Sequence, residues 1–190
     1  LPELGEGEGA QQVARFERIT ERLRAEPGIV DAAAGTTLPG LIASGTRVIA
    51  DGAATDAPRT FVYSGAIDDH FAATFGLTLE QGRLFDSRDR ADSTPVAIVD
   101  RTFAERFGDA GPVLGRRFTL DPDESDHSTV TVVGVIARTQ LDDLDDPVRP
   151  ALLVPMRQQP ARFASLAVRT VGDPEAFAPR LTEIVRALAP

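Results

Sequence analysis

The chain has 190 residues and a formal net charge of −9 at pH 7, with no cysteine and no tryptophan, and every one of its 20 Lys/Arg positions is arginine. That charge opposes nucleic acid, which draws on basic patches. The missing residue types exclude disulfides, thiolate metal sites, cysteine nucleophiles, a Walker A lysine and a Schiff-base lysine. A share of 42% apolar and 26% charged residues is that of a folded protein, and the length suits one large domain or two small lobes sharing a core.

Residues 1–10 are rich in Gly and Glu, lack periodicity and read as a flexible lead-in. GEGEGA there has no strand before it and the wrong spacing for a dinucleotide fingerprint. A helix is expected over 12–25, with Val13, Phe16, Ile19 and Leu23 near one face and Pro27-Gly28 as the stop. Strands are expected over 29–34, 46–50 and 59–64, with Asp51-Gly52 as a turn. Asp68 and Asp69 can cap a short helix carrying Phe71 and Phe75 and ended by Gly76.

The stretch 79–120 holds the most information. An alternating run reaches Gly82-Arg83-Leu84-Phe85, an Asp/Arg loop follows over 86–92, and Pro95-Val96-Ala97-Ile98-Val99 reads as a buried strand. Asp100 can cap a helix with Phe103 and Phe107 one turn apart, and Gly108 is expected to end it in the left-handed conformation. The spacing F-x-x-x-F-G therefore occurs twice. It reads as two docking faces, as the trace of an internal duplication, or as two short helices pinned to a core. Further strands are expected over 116–120, 129–137, 151–155 and 164–169. Asp173-Pro174 opens a last helix whose Pro179 should either kink it or delay its start.

These motifs, in their order and spacing, resemble the MacB-type periplasmic core domain of ABC-transporter permeases related to MacB and FtsX. The carriers are G-R-x-F with its Asp-rich loop, P-V-A-I-V, F-A-x-R-F-G and G-R-R, joined by Val132 to Ile136, Arg22-Leu23 through Val30, and Val168-Arg169-Thr170. The long helices lie at the two chain ends and the middle is strand-rich. The expected fold is mixed α+β in two lobes. A discontinuous α/β lobe takes 11–65 plus 162–190, and a strand-rich lobe with short helices takes 66–161. The resemblance places the first lobe beside the membrane.

By the same resemblance the chain is a non-catalytic extracytoplasmic domain that turns cytoplasmic ATP hydrolysis into export or periplasmic work. No cofactor is expected. The expected partners are flanking transmembrane helices, a second permease domain or protomer, a nucleotide-binding ATPase and a periplasmic adaptor. No apolar run is long enough to cross a bilayer. The chain starts at Leu1 with no Met and no signal-peptide pattern, so it is expected to be an excised or processed piece, and the resemblance implies membrane helices before and after it. Structural or contact candidates are Phe71, Phe75, Gly82, Arg83, Phe85, Asp89, Phe103 and Phe107.

A search for chemistry leaves two rivals open. Asp121 to Asp126 and Asp142 to Asp146 have clustered carboxylates but lack the glycine and closing Glu of a calcium loop. Only His70 and His127 are available for zinc, and no Ser sits in a nucleophile elbow. The interleaved Arg and Asp of 83–92 are either exposed pairs, each contributing at most about 1 kcal/mol, or a network in which Arg83 bridges to a loop Asp and fixes its path. The rival functions are a module binding a lipid, peptide or sugar between the lobes, and a carboxylate hydrolase.

Overall fold

The computed structural model describes residues 7–40, 44–54, 56–123, 127–141 and 148–188. Helix α1 is Glu8–Arg24, so it takes in three residues read as lead-in and starts after Gly7, whose φ is 84°. Ile19 and Leu23 are buried on its inner face. Strands β1 (Ile29–Gly35), β2 (Ser44–Ala50) and β3 (Thr60–Ile67) follow, then α2 (Phe71–Phe75) and β4 (Leu79–Gly82). Next come β5 (Val96–Asp100), α3 (Arg101–Phe107), β6 (Arg117–Leu120), β7 (Ser128–Ile136), β8 (Ala151–Pro155), β9 (Ser165–Thr170) and α4 (Ala178–Leu188). The fold is mixed α+β.

Among the described residues nine strands join one sheet in the order β2-β6-β7-β5-β8-β3-β1-β9, with β4 on β7. An added antiparallel pairing of β2 with β3 closes six of them, β2, β6, β7, β5, β8 and β3, into a ring. Two contacts within the ring are parallel, β5 with β7 and β3 with β8. Closure removes sheet edges whose unpaired N–H and C=O groups would otherwise need partners. The period-two alternation then sorts side chains. Val48, Val62, Ala97, Val99, Phe118, Val130, Val132, Leu152 and Val154 form one buried cluster. Their neighbours Ile67, Val96, Ile98, Ala151 and Leu153 form a second, with Phe71 and Phe85. Hydrogen bonds of the sheet cross the division at residue 66, since β2 pairs with β6 and β3 with β8.

A third cluster joins α1, β1 and α4 through Ile19, Leu23, Ala32 and Ile184, with Leu166 and Val168 of β9 packed against it. The end of α1 meets the start of α4. Glu26 accepts from Arg180 Nε at 2.8 Å, and a Cβ at Gly28 would lie 2.6 Å from the Phe177 ring. Further from that junction Ile19 of α1 and Ile184 of α4 still share one cluster, with Leu188 packed against it, so the two helices run antiparallel and Glu8 and Leu188 lie toward the same end of the molecule.

Two local expectations are corrected. Gly108 has φ −74° and is right-handed, so the chain continues through a 3-10 turn, Gly108–Ala110, and the residue with positive φ is Gly111, at 102°. Asp68 and Asp69 do not cap α2 as N-cap residues. The N-cap is His70, whose side chain makes no capping bond, while Asp68 accepts from the His70 N–H and Asp69 is held by Arg157. Gly76 does end α2 left-handed, at φ 68°. Pro179 delays α4. Residues Pro174–Phe177 form a 3-10 turn capped by Asp173, and Pro179 falls in the first helical turn, where no N–H is needed.

Candidate functional site

The loop after β4 is built on a close crossing of two backbones. Gly82 has φ 74°, and a Cβ there would lie 2.2 Å from the Val133 carbonyl oxygen. A Cβ at Gly134 would lie 2.2 Å from the Arg83 carbonyl oxygen. Only glycine permits both approaches. Arg83 N–H then donates to Val133 O at 3.0 Å, which fixes where its side chain starts.

From that start Arg83 clasps Asp89 through two parallel bonds, Nη1 to Oδ2 and Nη2 to Oδ1, each 2.7 Å. Asp89 is 3% exposed. Its Oδ2 also accepts from Asp86 N–H at 3.0 Å, and Arg83 Nη1 reaches Leu84 O at 3.1 Å. Burial pushes the Asp89 carboxyl up, and the Arg83 guanidinium with the Asp86 N–H outweighs it, so the group rests below its ordinary value. Asp86 is held low by the Arg88 side chain, which donates to it at 2.9 and 2.7 Å. Phe85 is buried beside Ile98 and Phe71. The far end of the loop is tied by Gln158. Its Nε2 donates to Arg90 O, Ser93 Oγ and Thr94 O, and its Oε1 accepts from Val96 N–H at 2.9 Å. Gln158 lies in a QQP run with no periodic signal to mark it in the sequence.

The two phenylalanine pairs lie in different clusters. Phe71 and Phe75 have ring centroids 4.6 Å apart, outside the ring of strands. Phe103 and Phe107 are 4.5 Å apart and meet Phe118 edge-on, closing one end of the strand ring. Asp100 places α3 there. Its Oδ1 accepts from the N–H groups of Phe103 and Ala151, both at 2.9 Å, joining β5, α3 and β8. It is fully buried, and burial raises its carboxyl despite those bonds.

Two further polar ties were not legible in the sequence. Arg157, after β8, donates to Glu17 of α1 at 2.6 Å and to both Asp69 oxygens at 2.6 and 2.9 Å. Asp68 accepts from Ala34 N–H at 2.9 Å, and burial lifts its carboxyl to about 6.

The open end of the strand ring, opposite α3, leads into a cavity of about 730 Å³ lined by Thr46, Ser64, Ser128, Gln159, Leu152 and Val154 among others. His127 borders it, while His70 pairs with Asp31 at 2.9 Å, so the two histidines do not converge. Among the described residues no three His, Asp or Glu side chains are placed to hold a metal ion. The acidic run Asp142 to Asp146, and residues 124–126 of the run Asp121 to Asp126, lie outside the described residues. Phe71, Phe75, Phe85, Phe103 and Phe107 thus meet neighbours through packing, and Arg83 and Asp89 meet each other in a clasp beyond the Gly82 crossing.

The model of the MacB-like periplasmic core domain matches residues 5–184. The chain belongs to this family. It is therefore an extracytoplasmic domain of a MacB/FtsX-like ABC-transporter permease, a system with transmembrane and ATPase partners. The fold is similar to the periplasmic region of MacB from Actinobacillus actinomycetemcomitans, at TM-score 0.65 and 17% identity over 91% of this chain and 73% of that one. It is also similar to the extracellular domain of the noncanonic ABC-type transporter YknZ from Gram-positive bacteria, at TM-score 0.61 and 16% identity over 91% and 81%. A domain of a putative permease protein from Porphyromonas gingivalis has TM-score 0.58 and 17% identity over 88% and 75%. Comparison with curated proteins gives no match. Among the described residues no helix is long and apolar enough to cross a membrane.

Proposed function

We propose that this domain is a non-catalytic mechanical element that converts cytoplasmic ATP hydrolysis into export or periplasmic work by moving as a body. One observation carries the reading. Helices α1 and α4 run antiparallel, so motion of two attached membrane spans would enter at one end of a single hydrogen-bonded sheet. In this reading 11–65 and 162–190 lie nearer the membrane and 66–161 stands away from it. A second copy or second permease domain closes against this one, and the clasped loop over 83–92 is a contact surface for that copy or for a periplasmic adaptor. The test is to replace this segment by an inert linker in the full-length transporter. ATP hydrolysis is expected to persist while transport falls to background. Unchanged transport would defeat the reading.

A second reading, a module taking a lipid, peptide or sugar, is supported by the cavity at the open end of the strand ring, with its hydroxyl and amide lining over an apolar floor. A ligand screen on the isolated chain tests it. A tight ligand whose binding is abolished by Ser64→Leu would promote it over the first reading.

A further inference from the structure

We propose that the end of the molecule carrying Glu8 and Leu188 docks on a phospholipid surface, with Arg15, Arg18 and Arg162 taking headgroup phosphates and Phe163 entering the acyl boundary. The inference rests on the membrane-side placement proposed above. It starts from charge. In a chain of net charge −9, three arginines from two elements line one groove of about 350 Å³, together with Gln11 and Gln12. Glu8 also lines it, 3.7 Å from Arg162. Arg15 and Arg18 form no ion pair among the described residues, whereas Arg83, Arg88, Arg101, Arg157 and Arg180 are held by carboxylates. Side chains on a helix lean toward its N-terminus, which directs Arg15 and Arg18 toward the Glu8 end.

The apolar half is Phe163. At 76% it is more exposed than any other large apolar side chain among the described residues. It follows Arg162 directly, and the loop holding both packs on the start of α1, where a Cβ at Gly9 would lie 3.0 Å from Pro160. Guanidinium groups match phosphate oxygens in a two-point geometry, and an exposed ring beside them fits the headgroup boundary. The acidic remainder of the surface is repelled by anionic lipid, so docking is confined to this end.

The chain has no tryptophan, so Phe163→Trp gives a single indole, excited selectively over Tyr63 at the red edge of its absorption. The probe is vesicles of equal phosphatidylglycerol and phosphatidylcholine with dibrominated acyl chains. Emission is expected to shift to the blue and be quenched. Adding Arg15→Gln, Arg18→Gln and Arg162→Gln is expected to weaken binding at least about tenfold. A Val171→Trp probe, at the opposite end of β9 beside Gly28, is expected to stay unquenched. Binding unchanged by the three substitutions overturns the proposal. So does displacement by millimolar inorganic phosphate, which would make the groove a site for a free oxyanion. Absence of quenching overturns it too and leaves the arginines to an acidic protein partner. The measurement needs no transport, so its failure leaves the coupling reading to be judged by the linker replacement alone.

Discussion

Arg83 and Asp89 show how one residue pair sets the path of a loop. Asp89 is almost wholly enclosed, so removing Arg83 leaves a buried carboxylate without its main partner. Arg83→Ala is expected to lower unfolding free energy by about 2–3 kcal/mol, read as a shift in urea midpoint at constant slope. Arg83→Lys should recover only part of this, because an ammonium cannot make both bonds. Gly82→Ala and Gly134→Ala meet backbone oxygen, not a movable side chain. Each is expected to cost about 3 kcal/mol or more. Asp68 gives the pH dependence. Its carboxyl is raised to about 6 in the folded state, from an ordinary value near 3.8. Its contribution is therefore fully present below the ordinary value and is lost as pH rises through 6. The melting temperature of the parent, measured against that of Asp68→Asn, should fall between pH 4 and pH 6.5 and then level off. A difference that rises over that window would contradict the assignment.

At the scale of elements, α3 is expected to matter more than its seven residues suggest, because Phe103 closes the strand ring and is fully buried. Phe103→Ala is expected to cost about 3–5 kcal/mol, whereas Phe163→Ser should leave stability unchanged; calorimetry compares the two. Most elements were legible in the sequence because their signals are local. Paired Phe residues at one-turn spacing, Asp100 before a helix and the β-branched run in β7 each declare themselves within a few residues. The handedness at Gly108 was not legible. Glycine takes either hand, and the 3-10 turn to Ala110 is set by a later bond, from Gly111 N–H to Gly108 O. The ties made by Gln158 and Arg157 were also invisible, since each reaches partners more than 60 positions away. Their residue types carry no pattern that names those partners. Asp68 was visible as a capping type, but its bond to Ala34 depends on β1 lying beside β3.

The whole molecule depends on pairings that sequence periodicity does not contain. Alternation marks β2 and β3 as strands but says nothing of their closing a ring with β6, β7, β5 and β8. That closure makes strands from the chain's first third and from its middle parts of one body. On the proposed function this body is displaced without being deformed. The domain has no cysteine of its own, so spin labels at Glu21→Cys on α1 and Arg106→Cys on α3 test this in a full-length transporter in which any cysteine outside the domain has been replaced by serine. Pulsed EPR should give the same distance between the two labels in nucleotide-free and ATP-bound states, while the distance between Arg106→Cys labels in adjacent copies changes. A shift in the distance within one domain would contradict the account.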